Sequence, residues 1–170
     1  MGQPRLNLSK VRCLLADRDV FTRGLIAQML RGFGMGTIQM ASNGEQLREL
    51  VTKECPDVCL IEAALPDIEA SELIAWIRKQ PEPLRFVPII VLSGYTQLRL
   101  VTAARDAGAN LVIRKPASAQ MLFDRLAWVA NSRRPFIEND NFLGPDRRFR
   151  KGPPAKAKSR RKTDVTGEPA

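Results

Sequence analysis

The chain has 170 residues, enough for one well-packed domain with an extension and too few for two ordinary domains. No run approaches the roughly 20 apolar residues of a membrane span, and the start, MGQPRLNLSKVR, lacks the apolar core of a signal peptide, so a cytoplasmic protein is expected. With no histidine there is no imidazole for a hydrolase triad, a zinc site or a phosphohistidine relay, and the formal charge of +9 is concentrated late, with 11 basic and 5 acidic residues from Arg133 onward against 16 and 13 before it.

After an N-terminal extension (1–10), strands and helices alternate. The first strand is Val11–Ala16, followed by a helix over Val20–Phe33 whose Phe21, Leu25, Ile26, Met29, Leu30 and Phe33 form one wide apolar stripe before Gly34. A strand at Thr37–Ala41 leads to a helix at Glu45–Lys53, and a strand at Asp57–Ile61 to a helix at Ser71–Lys79. The fourth unit pairs Pro88–Leu92 with Leu98–Ala107, and the fifth pairs Leu111–Arg114 with Ala119–Ala130, where Leu122, Leu126 and Val129 point inward. Five such units predict an α/β domain over 11–132, a doubly wound parallel sheet with right-handed crossovers. Cys13, Cys55 and Cys59 have no paired metal-ligand spacing and are expected as buried thiols.

In such a sheet the ligand site lies beyond the carboxyl ends of the strands. Gathered there are Asp17 and Arg18, then Glu62, Ser93 and the pair Lys115-Pro116. The segments LLADRD, ASNGEQL, PDVCLIEAALPDIEASEL, VPIIVLSG and AGANLVIRKP stand in order, and the stretch Val11–Val129 resembles the receiver domain of two-component response regulators, the chemotaxis regulator among them. That resemblance implies a five-stranded flavodoxin-like sheet of order 2-1-3-4-5. It also implies two Mg²⁺-holding acids after strand one, a phosphoacceptor aspartate ending strand three, a hydroxyl ending strand four, and a lysine before a cis proline.

Asp17, Ser93, Lys115 and Pro116 match this pattern. Arg18 stands where the second acid belongs and Glu62 where the phosphoacceptor belongs. Arg18 puts a permanent cation near the metal position and Glu62 reaches one methylene further toward Lys115, so a metal-free ion network of Asp17, Arg18, Glu62 and Lys115 is expected, with no cofactor required. The alternative is a site that has decayed, with Arg18 in solvent. In the family the hydroxyl is coupled to a large aromatic on strand five; that position is Val112 here, which has no comparable rotamer swing, and Tyr95 is the candidate substitute.

The last part divides in two. From 152 to 170, lysine, proline, glycine and alanine leave almost nothing apolar to bury, so a disordered basic tail is expected. Between 133 and 151, Phe136, Phe142 and Phe149 alternate with Arg133, Arg134, Arg147, Arg148 and Arg150 around Gly144-Pro145-Asp146. Rings and guanidinium planes stack on bases, arginine addresses guanine O6 and N7, and a carboxylate accepts from the guanine N1 and N2 edge. The string NFLGPDRRFR resembles the arginine-rich extension of chemotaxis-regulator-like cyclic di-GMP effectors. By position, that resemblance assigns cyclic di-GMP to Asp146, Arg147 and Arg148, with Arg134 and Arg150 beside them; the residues themselves add stacking on Phe142 or Phe149, in a segment expected to be ordered by the ligand and whose Gly144-Pro145 turn limits the entropy lost.

The expected protein is therefore a phosphorylation-independent receiver-like adaptor, acting by binding rather than catalysis, with no output domain after the fifth helix. Its partner is a signalling or flagellar motor protein. The alternatives that stay open are a tail that binds nucleic acid or an acidic protein surface, a merely solubilising tail, and a conventional receiver phosphorylated by a histidine kinase.

Overall fold

A computed structural model describes residues 6–94, 98–132 and 134–147. Strands β1 (Arg12–Ala16), β2 (Thr37–Ala41), β3 (Val58–Glu62), β4 (Ile89–Ser93) and β5 (Leu111–Arg114) form one parallel sheet in the order β2-β1-β3-β4-β5. Register is continuous across it, with Leu15 opposite Met40 and Leu60, and Val91 opposite Ile61 and Val112.

Between the strands run α1 (Val20–Gly32), α2 (Gly44–Lys53), α3 (Ala70–Arg78), α4 (Leu98–Ala107) and α5 (Ala119–Asn131). Because successive strand side chains point to opposite faces, the core divides into two layers. Leu14, Cys59, Ile61, Ile89 and Val91 pack under α2, α3 and α4, whereas Cys13, Leu15, Leu60, Ile90 and Ile113 pack under α1 and α5. Both faces are covered, which is why β1, β3 and β4 read as continuous apolar runs. The cysteines are unpaired thiols: Cys13 and Cys59 are buried, Cys55 partly so.

The helices begin where their first N–H groups find acceptors. Asp19 accepts from Thr22 N at the start of α1, Asn43 from Gln46 N at α2, and Ser118 from Met121 N at α5. Gly34 and Gly108, at φ 82° and 111°, close α1 and α4 in a conformation that side chains disfavour. The apolar stripe expected on α1 is wider than the buried face. Ile26, Ala27 and Leu30 are buried, but Phe21 and Leu25 point away from them, and Phe21 is 84% exposed.

After α5 the chain forms an element that the basic composition concealed. Strands β6 (Phe136–Asn139) and β7 (Phe142–Pro145) pair as an antiparallel hairpin around Asp140-Asn141. Gly144-Pro145, expected as the turn, lies instead in β7 and is buried. The hairpin is docked at the amino-terminal end of β4 and β5. The Phe136 ring meets Phe86 edge-on at 5.3 Å and lies 5.0 Å from the guanidinium carbon of Arg78, while Arg85 pairs with Glu138.

Arg78 is the pivot of this contact. It is 4% exposed, and its guanidinium donates to the carbonyls of Gly108, Arg85 and Val87 and to Asn110 Oδ1. Burial brings its pKa down to about 10, so it remains a cation at neutral pH, stabilised by carbonyl dipoles and the Phe136 ring.

Candidate functional site

At the carboxyl end of the sheet, four of the expected residues meet. Lys115 Nζ donates to Asp17 Oδ2 at 2.6 Å and lies 3.3 Å from Glu62 Oε1. Arg18 Nε lies 3.4 Å from the same Glu62 oxygen, and the Arg18 backbone N–H donates to Glu62 Oε2 at 2.9 Å. Asp17 is fully buried, and its second oxygen accepts from Asp19 N at 2.9 Å. Two carboxylates thus face two cations. The burial of Asp17 is offset by the ammonium and an N–H donor, as a buried charge requires.

Arg18 is held on Glu62 but keeps 57% of its side chain in solvent, so its contribution is modest beside that of Lys115, which is 20% exposed. Ser93 ends β4, 2% exposed, and its hydroxyl donates to Gly94 O rather than to the carboxylates. Val112 is partly buried against the α2, α3 and α4 layer. Lys115-Pro116 is a cis peptide. Tyr95 lies outside the described residues.

Three supports of this end of the molecule escaped the motif reading. Arg23 Nη1 donates to the Asp17 carbonyl at 2.5 Å, turning the chain out of β1. Asp19, read only as part of LLADRD, caps α1; an acid immediately before an apolar helix is the signal for that role. Asp67 accepts from Gly44 N and Glu45 N, tying the β3–α3 loop to the start of α2, and those N–H groups hold its carboxyl below the usual range.

The second candidate group lies at the opposite end, on the hairpin. Arg147 stacks over Phe142 at 4.8 Å, and its guanidinium donates to Asp106 Oδ1 at 2.9 Å and Arg105 O at 2.6 Å. Asp146 N donates to Pro135 O. Phe142, Asp146 and Arg147, with Asp106, line one open cavity of about 430 Å³. Arg134 is elsewhere: its guanidinium lies 4.5 Å from the Trp128 ring, in a separate cavity of about 80 Å³. Arg133, Arg148, Phe149 and Arg150 lie outside the described residues.

Residues 13–127 match the family model of the response regulator receiver domain. The chain belongs to the response regulator receiver family. This receiver is 32% identical over 107 residues to the transcriptional regulatory protein PdtaR of Mycobacterium tuberculosis, covering 63% of the chain but only half of PdtaR. It is 28% identical over 105 residues to the sporulation initiation phosphotransferase F of Bacillus subtilis, covering 62% of this receiver and 82% of that protein. The chemotaxis response regulator CheY4 of Vibrio cholerae superposes with a TM-score of 0.65 over 70% of this receiver and 98% of CheY4, and at 22% identity it speaks for the fold alone. The hairpin falls outside the family match, which ends before Trp128. No described helix of this receiver is long and apolar enough to cross a membrane.

Proposed function

We propose that this receiver acts as a phosphorylation-independent signalling adaptor. The observation that carries the reading is Lys115, whose ammonium reaches both Asp17 and Glu62 while Arg18 closes on Glu62. In the family, an acid pair holds Mg²⁺ beside a phosphoacceptor aspartate. Here the donor set does not fit that ion: Asp17 spends its two oxygens on Lys115 and Asp19 N, and a guanidinium stands where the second acid belongs. The cluster is balanced by its own side chains, an arrangement that approximates the activated state without a phosphoryl group.

The test is exposure of the full chain to a small phosphodonor with Mg²⁺, followed by intact-mass spectrometry. No adduct is expected. A stoichiometric acid-labile phosphate would return the protein to the conventional receivers served by a histidine kinase.

A second activity is supported by the hairpin cavity. Phe142, Asp146 and Arg147 converge there with a ring, a carboxylate and a guanidinium, the three groups that guanine recognition uses. Cyclic di-GMP is the proposed ligand, and a signalling or flagellar motor protein the proposed partner of the receiver surface. Nucleic acid is the weaker reading, because counterion release needs many phosphate contacts whereas this cavity is small and mixed in charge.

A further inference from the structure

The guanidinium of Arg147 is already engaged at the end of α4. Nη1 donates to Asp106 Oδ1 and Nη2 to the carbonyl of Arg105, both in or next to the last helical turn. Carbonyls there lack intrahelical partners and the helix dipole is negative, so a cation is favoured. Its plane is also set, by the Phe142 ring 4.8 Å away. The side chain nevertheless remains 44% exposed, and it lines the cavity shared with Asp146.

We propose that Asp106 is a positioning residue of the nucleotide site: together with Arg105 O it holds Arg147 as a stacking plate on Phe142, so that a guanine lies on the plate and Asp146 reads its edge. This rests on the guanine-dinucleotide reading above. It gives Arg147 a stacking role in place of the bidentate contact expected from its sequence, because two of its N–H groups are already spent. The freedom a long side chain loses on binding is then lost in advance, in the free protein. Asp106 itself is 55% exposed, and an exposed pair of this kind contributes little to folding, so removing it should affect the ligand rather than the fold.

The experiment is calorimetric titration of cyclic di-GMP into the full chain, Asp106→Ala and Asp106→Asn, with urea midpoints measured for all three. Asp106→Ala should bind about tenfold more weakly at an unchanged midpoint, and Asp106→Asn, which keeps an acceptor, within about threefold of the parent. Equal binding by Asp106→Ala would show that Asp106 contributes nothing, and tighter binding that it competes with the ligand; either overturns the plate and leaves the ligand reading intact. A loss in Asp106→Asn as deep as in Asp106→Ala would assign the effect to charge, and a midpoint that falls with affinity would assign it to folding; either overturns the positioning role. Absence of binding by the parent chain overturns the ligand reading, and this proposal with it.

Discussion

Lys115 Nζ lies 2.6 Å from Asp17 Oδ2 across 98 residues of sequence, and Asp17 is fully buried. Removing the ammonium leaves a buried carboxylate with one N–H donor. Lys115→Met is therefore expected to cost about 2 to 3 kcal/mol, just below the range of about 3 to 5 kcal/mol for breaking a fully buried pair, because Lys115 is 20% exposed. Urea unfolding measures it, and Asp17→Asn in the Lys115→Met background should recover part of the loss. An additive double mutant would mean that the two charges are not coupled.

Arg18→Asp should raise Mg²⁺ affinity, because it places a second hard oxygen beside Asp17 and removes the competing cation. Without metal the variant should be less stable than the parent, because a third carboxylate then stands beside Asp17 and Glu62 with Lys115 as their remaining cation in the cluster. Calorimetry with Mg²⁺ on both proteins decides this. Equal affinity would show that Arg18 does not oppose the ion.

Acid should destabilise the domain through a specific set of carboxylates. Asp57 is held below its ordinary range by the Arg12 guanidinium, Asp19 by the Thr22 hydroxyl, Asp67 by the Gly44 N–H and Glu69 by the Arg99 guanidinium. Each lowered folded pKa contributes stability that is present above the unfolded value near ~4 and is lost as pH falls through the folded one. Urea midpoints should drop below pH ~4, and the slope should be shallower in Asp19→Asn/Asp57→Asn. An unchanged slope would place the acid sensitivity elsewhere.

Ending the chain at Ser132 should harm the receiver itself. It removes the Phe136 ring from Arg78 and Phe86, leaving a buried guanidinium without its cover. Phe136→Ala alone is expected to cost about 2 kcal/mol, which in a domain of this size lowers the thermal midpoint by roughly 5 °C. A truncated chain as stable as the parent would show that the hairpin is only appended. Ligand binding is therefore better tested by point substitution than by truncation.

On the hairpin, Arg147→Ala and Asp146→Ala should each remove most cyclic di-GMP binding, whereas neutralising Lys156, Lys158, Arg160 and Arg161 together should barely matter. A polyanion site would give the reverse ranking, because it counts charge and ignores position. Competition by adenine dinucleotides as strong as that by guanine ones would also favour the polyanion reading.

Most of the receiver was legible because both sheet faces are buried. Thr37–Ala41, Leu111–Arg114 and Leu98–Ala107 fall at their expected bounds, and the remaining strands and helices differ by a residue at one or both ends. Periodicity found those elements, and the strand ends then located Asp17, Glu62, Ser93 and Lys115. The hairpin was hidden by its charges. Two four-residue runs with Phe136 and Phe142 around Asp140-Asn141 do carry a hairpin signal, but arginines and a Gly-Pro pair argued for an extended motif. Arg78 could not be foreseen at all: on a helix, an arginine satisfied by three carbonyls from two later loops looks like any surface residue. Phe21 misled in the opposite direction, an apolar residue counted inward that lies in solvent.

A Cβ on Gly144 would lie 2.8 Å from the Cα of Gly108, so main chain rests on main chain where β7 crosses the end of α4. A side chain at such a crossing could change rotamer and absorb a small displacement. The two glycines have none, although the Phe142 ring and the Arg78 side chain stand beside them. A displacement of the last turn of α4 is therefore expected to carry β7 with it.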